Sequence, residues 1–163
     1  MTTIAYKDRI IACDTKMCND GEYQHGIKKI GRSKKYLFGY SGVLGGLIPT
    51  FEWLLQFETK CDNAAGLYRY AEKLMVEGDD AHFMLIDRDQ KLFTMDGDGY
   101  TNPIPRGFDA IGSGGAYALG AMIAGKGATA AVDVASSVDA YTGGEICHLQ
   151  FGGTMEIIHP GVI

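Results

Sequence analysis

The chain has 163 residues, 46% of them hydrophobic and 21% charged, which suits one domain over residues 1–163 with a sizeable core. No apolar run approaches the roughly 20 residues that cross a bilayer, and no basic-then-apolar leader opens the chain, so the expectation is a cytoplasmic protein with no membrane partner. The net charge of −5 is uneven: residues 1–35 carry eight Lys/Arg against four Asp/Glu, and the remainder seven against sixteen. A basic cluster (Lys28, Lys29, Arg32, Lys34, Lys35) lacks interleaved aromatics and belongs to an acidic chain, so nucleic acid is not an expected partner.

Residues 2–6 and 9–14 read as a hairpin turning at Lys7-Asp8. Residues 15–22 are polar and glycine-punctuated, hence a loop, and residues 24–30 form a short strand stopped at Gly31. An aromatic-rich strand follows over 36–41, broken by the glycines of 42–46. Pro49 suits the first turn of a helix to about residue 59, with Phe51, Leu54 and Leu55 on one face. Asp62 or Asn63 caps a second helix to residue 76. The pattern then changes to period two over 81–87 and 91–95, turns at 96–99, and gives another strand at 108–111. Helices rich in small residues are expected over 115–124 and 128–140, and a closing hairpin pairs 144–151 with 154–159 across Gly152-Gly153. The order is strands, two helices, strands, two helices, strands. That order implies two mainly antiparallel stacked sheets with helices on each outer side.

The four cysteines (Cys13, Cys18, Cys61, Cys147) are scattered without a C-x-x-C pair and read as reduced thiols. Cys147 and His148 are adjacent on a strand, so their side chains point to opposite faces and do not share a metal. Asp96-Gly97-Asp98-Gly99 lacks the later ligands of a calcium loop.

The chemistry concentrates at Met1-Thr2-Thr3-Ile4. Removal of the initiator would leave Thr2 with a hydroxyl and a free α-amine. The amine, with an ordinary pKa of about 7.7–8.0, can serve as base for the weakly nucleophilic hydroxyl. A lysine beside Thr2 would stabilise its alkoxide, and a carboxylate would keep that lysine charged and oriented; Asp14 and Lys29 are the candidates. Ile111-Gly112-Ser113-Gly114-Gly115 enters a helix from a strand. It lacks the third glycine of a dinucleotide fingerprint, the first glycine of a nucleophile elbow and the lysine of a phosphate-binding loop. What remains is a hydroxyl and backbone amides converging from a helix N-terminus, or simply a tight turn.

Five segments in order carry a resemblance: T-T-I at the start, I-I-A-C-D, I-K-K-I, F-G-Y-S-G, and F-D-A-I-G-S-G-G-A-Y-A, continuing into T-G-G-E-I-C. Over nearly its whole length the chain resembles HslV-like and, more distantly, proteasome β-type threonine peptidases. These are N-terminal nucleophile hydrolases, and the resemblance implies an α+β fold, a four-layer αββα sandwich. It further implies Thr2 as nucleophile, Asp14 as buried carboxylate, Lys29 as catalytic lysine, Gly39 as donor of an oxyanion-hole amide and Ser113 as supporting serine. No cofactor is implied beyond a structural monovalent cation such as Na⁺, held by carbonyls of Gly144, Cys147 and Gln150, where Gln150 departs from the family's threonine. The loop between Asp14 and Lys29 is shorter than in HslV. The implied partners are further copies of the chain in stacked rings, an AAA+ unfoldase, and unfolded protein or peptide substrates. Two other readings stand beside the peptidase: a catalytically silent assembly module of the same fold, and an amidohydrolase for small amides.

Overall fold

The computed structural model describes residues 2–19, 22–42, 81–96, 99–100, 103–154 and 156–158. Strands β1 (Thr3–Lys7) and β2 (Ile10–Asp14) form the opening hairpin, with Ile4 opposite Cys13 and Lys7 opposite Ile10. The turn falls at Asp8-Arg9, one residue later than expected. Both residues have positive φ, 52° and 72°, the backbone a two-residue connection between twisted strands requires. Residues 15–22 were expected to be a loop, but Met17–Asn19 (β3) pairs with Glu22–Gln24 (β4) in a small separate hairpin. The expected strand over 24–30 is displaced: β5 is Ile30–Arg32 and runs through Gly31, pairing with β6 (Tyr36–Ser41).

β7 (His82–Asp87), β8 (Leu92–Asp96) and β9 (Gly99–Tyr100) extend that sheet in the order β5-β6-β7-β8-β9. β10 (Asp109–Gly112), β11 (Ile146–Leu149) and β12 (Glu156–Ile158) complete the other, in the order β10-β1-β2-β11-β12. Every pairing among the described strands is antiparallel. Two helices follow β10: α1 (Gly115–Ile123) and α2 (Ala128–Ser136).

Side-chain alternation along the central strands builds two cores. Ile4, Tyr6, Ile11 and Cys13 point between the sheets and meet Ile30, Leu37, Met84 and Ile86 from the other sheet. Each such fully buried aliphatic side chain contributes roughly 1.5–3 kcal/mol of transfer free energy. Ala5 and Ala12 point the other way, where their small size lets α1 and α2 settle through Ala118, Met122, Ala131, Val132 and Ala135. The described layers are therefore helices, sheet, sheet. The helices expected over 49–59 and 62–76, which would form the outer layer of the second sheet, lie outside the described residues.

Lys7, at the end of β1, closes the far end of α1. Its Nζ donates to the carbonyls of Met122 at 2.8 Å and Lys126 at 3.0 Å, a cation against the negative end of the helix. Lys7→Met is expected to lower stability by about 0.5–1 kcal/mol, read as a shift in denaturant midpoint with unchanged slope.

Candidate active site

The hairpin register brings the start of β1 beside the end of β2, and there the buried carboxylate of Asp14 collects four donors. Oδ1 accepts from the Thr2 hydroxyl at 2.7 Å, the Thr3 N–H at 2.9 Å and the Lys29 ammonium at 2.8 Å; Oδ2 accepts from the Gly143 N–H at 3.1 Å. Asp14 is 0% exposed, Thr2 2% and Lys29 5%. Lys29 reaches this point from the residue just before β5, held by Tyr40 N–H donating to its carbonyl at 2.9 Å, and its Nζ also donates to the Lys16 carbonyl at 2.5 Å. The neighbouring Lys28 is exposed. Thr2, Asp14 and Lys29 are thus brought together, with hydroxyl and ammonium converging on one carboxylate oxygen.

A second network holds the other side of Thr2. Ser113 Oγ lies 2.7 Å from Asp139 Oδ2 and 3.3 Å from the Thr2 carbonyl oxygen. A hydroxyl has one proton, and the shorter partner is the carboxylate, so the lone pairs of Ser113 remain open to a donor on Thr2. Thr142 Oγ1 donates to the same Asp139 oxygen at 2.6 Å, which makes Thr3 Oγ1 the donor in its 2.6 Å contact with Thr142. Burial would raise the Asp139 pKa, but hydrogen bonds from Thr142, Ser113 and the Tyr141 N–H outweigh it and hold the carboxyl below its ordinary value. A depressed carboxylate stabilises the folded chain above its unfolded pKa, about 3.9, and that contribution disappears as pH falls through the lower folded value. Asp139→Asn should therefore be less stable than the parent at pH 7, and the gap should shrink below about pH 4; a gap constant from pH 3 to 7 would show that the ionised form holds nothing. Sequence reading did not select Asp139 or Thr142.

Glycine is required where these networks meet the β10–α1 turn. Gly112 has φ +90°, and a Cβ there would overlap the Thr2 carbonyl. A Cβ on Gly114 would overlap Thr3 Oγ1, which is why the N-cap of α1 carries no capping side chain. The strand-to-helix turn is what sets Ser113 against Thr2.

Gly39 is placed differently from its expected role. Tyr40 donates toward β5, so alternation turns the N–H and C=O of Gly39 toward Met84 of β7, its ladder partner. Its Cα packs against Ile4 and Ile11 between the sheets. The amide is spent within the sheet and does not stand free beside Thr2.

Two of the three expected cation ligands, the carbonyls of Cys147 and Gln150, already have protein donors. The two-residue β1–β2 turn turns Cys13 toward β11, so the Cys147 carbonyl pairs with Cys13 in the ladder. The Gln150 carbonyl accepts from Arg32 Nη1 at 3.0 Å and Gly153 N–H at 3.3 Å, and the same guanidinium nitrogen donates to the Gly153 carbonyl. A fixed positive charge already lies where the third ligand would be, so these residues do not fit a bound Na⁺. Cys13, Cys18 and Cys147 are unbridged, and burial pushes the Cys13 thiol up.

No family model matches the sequence, and no curated protein matches it. Solved structures do match. The chain superposes on a structure of Thiobacillus denitrificans BPH in complex with epoxomicin with a TM-score of 0.72, at 18% identity, covering 98% of this chain and 99% of that one. It superposes on the eukaryotic HslV from Trypanosoma brucei with a TM-score of 0.69, at 19% identity, covering 97% and 98%. The likeness is one of fold along the full length of each chain. Among the described residues no helix is long and apolar enough to cross a membrane.

Proposed function

We propose that the chain is a threonine-type endopeptidase with the four-layer fold of N-terminal nucleophile hydrolases, and that Thr2 is its nucleophile once Met1 is removed. The observation that carries this reading is the meeting of the Thr2 hydroxyl and the Lys29 ammonium on Asp14 Oδ1. The α-amine of Thr2 takes the hydroxyl proton, Oγ1 adds to the peptide carbonyl, and the same amine returns the proton to the departing nitrogen. Water then releases the acyl group from the ester. Lys29 supplies positive charge beside the alkoxide, while Asp14 holds the lysine in place. Ser113, itself held by Asp139, offers a lone pair that orients the amine. The fold neighbours, one an HslV and one solved with epoxomicin, favour this reading over a small-amide hydrolase.

The decisive experiment is the mass of the N-terminus, followed by treatment with a peptide epoxyketone. The hydroxyl adds to the ketone and the amine opens the epoxide, so a stable ring forms only where both groups belong to one terminal residue. A chain lacking Met1 that gains the full mass of the reagent on Thr2 is the expected result. Retained Met1 leaves the amine in a peptide bond; that result would instead support the silent assembly module.

An unrestrained cytoplasmic endopeptidase would degrade its surroundings, so the site belongs inside stacked rings fed with unfolded chains by a separate AAA+ ATPase. Rings arise from heterologous contacts that close, and the exposed apolar residues Tyr117, Ile123, Val134 and Val138 on and after the helices are available for them. Light scattering is expected to give a large closed oligomer, and a ~17.6 kDa particle at micromolar concentration would reject the assembly.

A further inference from the structure

Beside Gly112 a cavity of about 230 Å³ opens between the two sheets at the β10 edge, walled by His82, Thr94, Met95, Ile111, Gly112 and Ala116. Its volume is below the 300–1,000 Å³ of pockets that take whole small molecules, and it matches a side chain. The wall residue Gly112 packs directly on the Thr2 carbonyl. Thr3 N–H donates to Asp14 on the β2 side, so main-chain alternation turns both the nitrogen and the carbonyl of Thr2 to the β10 side, where Ser113 and the cavity lie. On the mechanism above, the Thr2 nitrogen must reach the departing amine of the substrate. That amine, and the residue carrying it, therefore lie on the cavity's side of Thr2. The opposite side is filled by Asp14, Lys29 and Gly143.

We infer that this cavity is the subsite for the first substrate residue after the scissile bond, and that it selects a medium-sized neutral side chain such as leucine or methionine. The inference rests on the peptidase reading. The described walls are apolar from Met95, Ile111 and Ala116, with the polar groups of His82 and Thr94 among them, and among the described lining residues there is no carboxylate or lysine to pair with a charge. Ala116 is exposed in the first turn of α1, so a larger residue there narrows the cavity without entering the core.

The test uses quenched peptides that share one acyl side and differ only in the residue after the cut: glycine, leucine or tryptophan. The parent should cleave the leucine peptide at least about tenfold faster in kcat/KM than the glycine or tryptophan peptide. Ala116→Phe should bring the leucine peptide down to the glycine rate while leaving the glycine peptide within about twofold. Labelling by the peptide epoxyketone, which has no residue on the leaving side, should be equal in parent and variant. Equal labelling with an unchanged leucine-to-glycine ratio would overturn the subsite alone. A parent that neither labels nor cleaves would overturn the peptidase reading and this inference together.

Discussion

Thr2→Ala is expected to abolish peptide hydrolysis, with a fall in kcat on the order of 10⁴-fold or more, while the chain remains folded and assembled. The substitution removes one donor from Asp14 Oδ1, but Lys29 and the Thr3 N–H still satisfy that oxygen. The stability cost should therefore stay near the ~1 kcal/mol of a single net hydrogen bond. Thr2→Ser keeps the hydroxyl and loses the methyl that restricts χ1, so it should retain measurable turnover at a lower kcat. Initial rates on one fluorogenic peptide, with thermal unfolding of each variant, make the comparison. Full activity in the folded alanine variant would remove Thr2 from the mechanism.

Lys29→Ala should be nearly as damaging, about 10²–10⁴-fold in kcat/KM, and Lys28→Ala should behave as the parent. The two lysines are adjacent in sequence and opposite in placement: one is 5% exposed and paired with a carboxylate, the other is solvent-facing. Removing Lys29 leaves the wholly buried Asp14 charge without its counter-ion, which costs about 3–5 kcal/mol and could by itself explain a dead enzyme. The double variant Asp14→Asn, Lys29→Met separates the two effects, because it removes both charges and should recover much of the lost stability. The expected outcome is recovered stability with activity still absent. Recovery of both would make the ion pair structural only.

The opening hairpin, β6, β7, β8 and both described helices were legible because each has a clear apolar period or aromatic run. The β3–β4 hairpin was not, since Glu22, Tyr23 and Gln24 are all exposed and leave no buried alternation to read. The resemblance implies Lys29, and an extended strand over 24–30 would turn its neighbour Lys28 to the opposite face. The inward residue is indeed Lys29, although the strand begins only at Ile30. Gly39 shows the limit of motif matching: a motif locates a residue, but the β5–β6 pairing decides whether its N–H faces solvent or the next strand. For the expected cation ligands Gly144, Cys147 and Gln150, spacing likewise does not report what each carbonyl meets: that of Gln150 accepts from Arg32 and from the Gly153 N–H. Asp139 was hidden because one acid at the end of a predicted helix reads as a solvated charge. Its place opposite Ser113 comes from packing α2 onto the sheet.

The pairing of Thr3 with Gly112 spans most of the chain, and Ser113, Asp139, Thr142 and Gly143 all come from its last third. A ribosome delivers the proposed nucleophile first and its supports last, at about 5–20 residues per second, so for much of translation Thr2 exists without the network that holds it. The same long-range closure places this fold among those whose rates are limited by bringing distant strands together. On the proposed peptidase reading, the order of emergence is a safeguard in time: a nascent or truncated chain carries Thr2 but not the residues that hold it, and hydrolytic potential would arise only with completion.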